Sequence, residues 1–200
     1  AYSNFLKNLM ACQEELDRMF DALVEFMYEN LEGFGEHLMA DGKAIQSYAT
    51  KLSESQKSGG RGEHDANWCK KTYTSSGENG EKKVKTVKWF GFRLHLIAEA
   101  RYEMPVAFKV TKASNSERTE NQNLLETMKE EKPERIKKCE YMMEDKGYDG
   151  TDHITWLEQE GIKPIIDIRN CWKDGEETHR YQDTDLVYDY KGTVWYVNEA

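Results

Sequence analysis

Residues 87–111 hold the pattern that leaves this chain the fewest ways to fold. Trp89-Phe90-Gly91-Phe92-Arg93-Leu94-His95-Leu96-Ile97-Ala98 is dense in aromatic and aliphatic residues with polar ones between them. Pro105-Val106-Ala107-Phe108-Lys109-Val110-Thr111 repeats that composition after a turn at Arg101-Tyr102-Glu103. Such side chains at a period of two suit a pleated surface, so the two runs are expected to pair as antiparallel strands.

Helical patterns lie on either side. Leu16, Met19, Phe20, Leu23, Val24, Met27 and Leu31 recur at steps of three and four, which predicts an amphipathic helix over residues 3–31. Ser3 is its expected N-cap, and Gly33 and Gly35 its stop. Residues 36–48 suit a strand that turns at Asp41-Gly42 and continues through Tyr48. Residues 51–67 and 75–80 are polar and glycine-bearing and read as loops. A helix is expected over 116–129 with Leu124, Leu125 and Met128 inward, then a break or a short helix opened by Pro133. A strand over 139–143 leads to a helix over 151–160, capped by Thr151 or Asp152 and stopped by Gly161. Lys163–Ile168 is a compact strand, and beyond a charged loop a hairpin pairs 186–190 with 193–197. An antiparallel first half followed by crossover connections places helices against a mixed sheet, an α/β architecture. The expected division is a helical segment over 1–34, a core over 35–170 and a β-rich stretch over 171–200.

Bulk properties narrow the function. The 200 residues carry a formal charge of -9, with 38% hydrophobic and 32% charged residues. No apolar run approaches the roughly 20 residues that span a bilayer, and no signal-peptide pattern opens the chain, so no membrane role is expected. The first residue is Ala1 and not Met, which leads us to expect further residues upstream. Cys12, Cys69, Cys139 and Cys171 are scattered without a C-x-x-C pair, which favours reduced thiols over a disulfide framework. His64 and Cys69 are half of a zinc site that nothing nearby completes. Acidic balance argues against nucleic acid as a partner, but residues 81–112 carry eight basic and three acidic residues, a local +5. The N-terminal helix holds much of the opposite sign, and a solvated charged face explains either segment as well.

Two aspartates stand out. Asp41 and Asp145 each end a short apolar run and each precede glycine-rich turn chemistry. Carboxylates held at a sheet edge and brought together repel unless a cation sits between them, and hard oxygen ligands suit Mg²⁺. The first and fourth strands of such a sheet can lie side by side, which would join these two acids. Lys43 and Lys146 adjoin them and could contact phosphates, although each also reads as an ordinary surface lysine. Asp149 competes with Asp145 as a ligand but reads better as a turn residue, and Asp65 better as a loop residue. His95, Trp68 and Trp89 read as packing residues.

Ala40-Asp41-Gly42-Lys43, His64-Asp65-Ala66-Asn67-Trp68, the two strand runs and Glu144-Asp145-Lys146-Gly147-Tyr148-Asp149 together resemble, in order, the DDE transposases of bacterial insertion sequences. The resemblance covers roughly residues 36–170. It implies a ribonuclease H-like mixed sheet flanked by helices, with an N-terminal amphipathic helix before it and the start of a β-rich insertion at the C-terminus. It implies that Asp41 and Asp145 are the first two acids of a catalytic triad holding two divalent ions, Mg²⁺ or Mn²⁺. Two ions roughly 3.5–4 Å apart activate the attacking oxygen and steady the leaving one. The reaction would nick double-stranded DNA at element ends and join the freed 3′-hydroxyl to target DNA, in a bacterial cytoplasm at the nucleoid, with a homodimer as an allowed assembly. The family's third acid, a glutamate on a later helix, finds no counterpart before Ala200. The chain is therefore expected to be a fragment that is inactive alone. Two other readings stay open: an inactive transposase remnant that only binds DNA or a partner, and an unrelated acidic α/β binding module.

Overall fold

The computed structural model describes residues 2–49, 63–76, 82–167, 177–182, 184–189 and 191–197. It divides into two compact units, residues 1–166 and 167–200. The first opens with helices α1 (Tyr2–Ala11) and α2 (Gln13–Asn30), followed by strands β1 (His37–Gln46), β2 (Asn67–Ser76), β3 (Lys82–Glu99) and β4 (Met104–Lys112). Helices α3 (Glu117–Glu131) and α4 (Pro133–Lys138), strand β5 (Tyr141–Glu144), helix α5 (Thr151–Gln159) and strand β6 (Lys163–Ile166) complete it. The second unit holds β7 (Thr178–Arg180), β8 (Leu186–Asp189) and β9 (Val194–Tyr196), an antiparallel three-stranded sheet.

The six-stranded sheet of the first unit runs β2-β3-β1-β5-β6, with β4 also on β3. Pairs β1·β3, β2·β3 and β3·β4 are antiparallel, whereas β1·β5 and β5·β6 are parallel. This is a mixed sheet flanked by helices, as a ribonuclease H-like core requires. β3 is its spine. One half of β3 pairs with β4 from Phe92↔Lys112 to Glu99↔Met104, and the other half pairs with β2 from Asn67↔Gly91 to Ser76↔Lys82. β4 and β2 therefore lie end to end along one border of β3. Asn67 joins them: its Oδ1 accepts from Ser114 N at 3.0 Å and its Nδ2 donates to Ser114 Oγ at 2.6 Å.

Apolar burial holds this arrangement. Leu38 of β1, Ile97 of β3 and Met142 of β5 are fully buried, and Leu125 of α3, Leu157 of α5 and Ile136 of α4 meet the same core. Each such side chain contributes about 1.5–3 kcal/mol relative to exposure. Leu124, Leu125 and Met128 face inward as their spacing predicts, and Ser116 caps α3 by accepting from Thr119 N. Gly33 and Gly35 stop α2 with φ of 70° and 88°, and Gly161 ends α5 with φ 79°.

Several expectations need correction. The N-terminal helix is two helices broken at Cys12, and Ser3 lies inside the first of them. Of its predicted stripe only Val24 is buried, with Phe20, Met27 and Leu31 packed against the core; Leu16, Met19 and Leu23 are exposed. There is no turn at Asp41-Gly42. β1 passes straight through both residues, because Asp41 pairs with Leu96 and Gly42 with His95 inside a nine-pair ladder. Residues 67–76 form a strand where no strand was expected, and β3 begins at Lys82, well before the apolar run. The N-cap of α5 is Gly150, without a side-chain cap bond, in place of Thr151 or Asp152. β7 lies where only a charged loop was anticipated.

Candidate metal and DNA site beside a parallel strand pair

The parallel ladder between β1 and β5 sets the geometry. It runs His37↔Tyr141, Leu38↔Met142, Met39↔Met143 and Ala40↔Glu144, so the next residues are Asp41, half-way along β1, and Asp145, the first residue after β5. Neighbouring strands lie about 4.8 Å apart, which brings the two aspartates next to one another at the carboxyl end of the parallel ladder, where β5 has ended and β1 runs on to Gln46. Open α/β sheets bind ligands at that end of their strands. Both aspartates are exposed. Each has one oxygen tied to a nearby amide: Asp41 Oδ1 accepts from Gly42 N at 2.7 Å, and Asp145 Oδ1 from Gly147 N at 2.7 Å.

Tyr148 lies within reach of the negative charge gathered here. Its buried hydroxyl is pushed well above the usual phenol range, first by burial and then by the negative charges of Glu117, Glu144, Asp41 and Asp145. Four carboxylates therefore act on one phenol. Glu117 stands in the first turn of α3 with Oε1 3.3 Å from Lys71 Nζ and 3.4 Å from Arg93 Nη1. A Cβ on Gly42 would meet Glu117 Cγ at 2.7 Å, so glycine beside Asp41 lets α3 close against β1. Arg93 is itself buried, lies over the Trp89 ring, and donates to Asn115 O and Cys69 Sγ.

Beneath Asp145 lies a polar network that sequence inspection did not single out. Glu144 Oε2 is 2.7 Å from His153 Nε2, and the two side chains are 0% and 2% exposed. His153 Nδ1 lies 2.7 Å from Gln122 Oε1, and Asn121 Nδ2 donates to Glu144 Oε1. The ring joins α5 and α3 to the residue that precedes Asp145. A signal for it existed: in Tyr141-Met142-Met143-Glu144 the period of two puts Glu144 on the buried face with Met142, and an acid there needs a partner. Likewise His153 and Leu157 are four apart on α5, and both are buried.

The other candidates separate clearly. Lys43 is exposed two residues beyond Asp41 on the same strand, hence on the same face; Lys146 is exposed directly after Asp145. Asp149 is half-buried in the turn before α5, and Asp65 is exposed ahead of β2. His95 is buried against Thr111, with Nε2 2.8 Å from Oγ1, and desolvation lowers its pKa. Trp89 is buried with its Nε1 donating to Phe92 O, whereas Trp68 is half exposed and tilted against Phe90. Among the described residues no three His, Cys, Asp or Glu side chains form a ready metal cage. The two aspartates are still a chemical match for a hard divalent cation, which is usually held by one or two carboxylates with the rest of its shell from water and phosphate.

A family model described as the transposase DDE domain matches residues 33–196. The chain belongs to that family. No curated protein and no solved structure matches it. The matched span includes every strand of both units, together with Asp41 and Asp145. Transposases of this family act on DNA and generally use divalent metal ions. Among the described residues no helix is long and apolar enough to cross a membrane.

Proposed function

We propose that this transposase domain supplies Asp41 and Asp145 as two of the acids for metal-dependent cleavage and strand transfer at the ends of a mobile DNA element. The observation that supports this reading is the β1·β5 register, whose last pair, Ala40↔Glu144, immediately precedes the two acids. Asp41 and Asp145 would hold the divalent ions, which when bound would supply Lewis-acid polarisation of the scissile phosphate and of the attacking oxygen. The remaining work falls to the protein. The amides of Gly42 and Gly147 each bind one oxygen of their aspartate and so fix the carboxylate's direction. Lys43 and Lys146 place positive charge beside the acids, where a phosphodiester must approach. Glu117, engaged by Lys71 and Arg93, braces α3 against β1 and is not assigned as a ligand.

Calorimetric titration with Mn²⁺ tests the reading. The wild-type chain is expected to give a saturable heat that the Asp41→Ala, Asp145→Ala double variant lacks, with circular dichroism confirming that the variant is folded. Equal heats from the two proteins refute the site.

A further inference from the structure

We propose that the β2–β3 ribbon is the arm by which this protein holds duplex DNA, gripping the phosphate backbone without regard to sequence. This rests on the DNA reading above but uses none of the metal-site residues. Residues 67–76 and 82–98 contain Lys70, Lys71, Lys82, Lys83, Lys85, Lys88 and Arg93 and no acidic residue, in a chain whose net charge is -9. Lys70, Lys83, Lys85 and Lys88 are exposed. Lys70 stands directly opposite Lys88 in the ladder, a like-charge pairing that weakens an isolated hairpin and that a polyanion would relieve.

The shape points to a duplex and away from an acidic protein patch. Alternation along the strands puts Lys70 and Lys88 on one face of the ribbon and Lys83 and Lys85 on the other. Charge on both faces suits an element flanked by two phosphate walls, and the DNA major groove admits a two-stranded ribbon. The ladder from Asn67↔Gly91 to Ser76↔Lys82 has ten residues per strand. At about 3.4 Å per residue it reaches about 30 Å, close to one turn of duplex. Thr72 and Thr86 are exposed opposite one another and add hydroxyl donors for phosphate oxygens.

The root of the ribbon meets the candidate site. Lys71, near the start of β2, bonds Glu117, and Glu117 packs against Gly42, the residue after Asp41. A duplex lying along the arm is thereby directed towards Asp41 and Asp145.

The test is fluorescence-anisotropy titration of the 200-residue chain with two labelled duplexes of unrelated sequence, between about 50 and 200 mM salt. Three proteins are compared: wild type; a set carrying Lys70→Gln, Lys83→Gln, Lys85→Gln and Lys88→Gln; and the same four positions changed to Arg. Each phosphate-bound lysine adds about 0.9 to the slope of log affinity against log salt, so the Gln set should be shallower by about 3.6. Over that salt range wild type then loses about 150-fold more affinity than the Gln set. The Arg set should match wild type, and both duplexes should behave alike. A wild-type chain that binds no duplex, a Gln set with the wild-type slope, or an Arg set as impaired as the Gln set overturns the proposal. So does a Gln set that loses binding to polyglutamate but not to DNA, which would assign the ribbon to an acidic protein. A failed Mn²⁺ titration with an intact salt slope would sink the metal site and leave the arm standing.

Discussion

Replacing His153 by phenylalanine should destabilise this domain far more than the loss of one hydrogen bond would suggest. The substitution keeps an aromatic ring between α5 and α3, so little packing is lost. What it removes is the partner of Glu144, whose side chain is 0% exposed and would keep only the Asn121 bond. Breaking a buried pair by deleting one member typically costs about 3–5 kcal/mol, because an uncompensated charge is left behind. For a domain of this size each kcal/mol lowers Tm by about 2–4 °C, so the midpoint should fall by roughly 6–20 °C. Glu144→Leu should cost a similar amount by stranding the imidazole. Combining the two leaves two apolar groups in contact, so the double variant should recover at least about 2 kcal/mol relative to the sum of the singles. Urea denaturation of the four proteins, with the slope m checked for constancy, measures the coupling. A His153→Phe cost below about 1 kcal/mol, or singles that add within about 0.5 kcal/mol, would show that the pair does not act as a unit.

Two further outcomes follow from the geometry. Gly91 has φ 151°, and a Cβ there would sit 2.2 Å from the carbonyl oxygen of Ile45, so Gly91→Ala should cost at least about 3 kcal/mol in urea denaturation. Gly161→Ala, with φ 79° and open space around the added carbon, should cost only about 1–2 kcal/mol; equal losses would refute the steric account. Acid should weaken the fold in two stages. Burial holds His95 below its ordinary value of 6.5, aided by Arg93 and Lys109 and opposed by Glu120 and Glu117. The unfolded chain therefore takes up that proton first, and stability present above pH 6.5 is lost as pH falls below it through the lowered value. Burial raises the Glu120 pKa, but hydrogen bonds from Lys109, Asn115 and Asn123 outweigh it and keep it below the ordinary 4.5. That contribution is present above pH 4.5 and is lost as pH falls through the lowered value. Chemical denaturation across pH 3–8 should show both declines in wild type, and His95→Gln should lack the upper one; an unchanged upper limb would refute the assignment.

What could be read from the residues was whatever depends on local pattern. The apolar alternation of β3 and β4, the inward spacing of Leu124, Leu125 and Met128, the opening of α4 by Pro133 and the hairpin of β8 and β9 all appear as expected. β2 escaped because Lys70-Lys71-Thr72-Tyr73-Thr74-Ser75-Ser76 has no apolar face of its own; only its ladder with β3 makes it a strand. Asp41-Gly42 misled in the opposite direction, since a pair that favours turns in isolation is held straight by its neighbour β3. For the site, sequence marked the two acids and anticipated that the first and fourth strands could lie side by side, as β1 and β5 do, but the expected turn at Asp41-Gly42 hid that β1 runs on past the first acid. Glu117 could not be anticipated at all, because its place depends on how close a helix can come to a glycine.

β3 borders the sheet and the ribbon as one uninterrupted strand of 18 residues. Its two-residue repeat therefore governs how this appendage can change length. Adding or deleting matched pairs would move the far end outward or inward by about 7 Å per pair of residues and leave every lysine facing as before. Inserting a single residue would invert the outer half, exchanging the side chains on its two sides. Variation among related chains should accordingly come in even steps, and an odd step should carry a bulge that restores the phase.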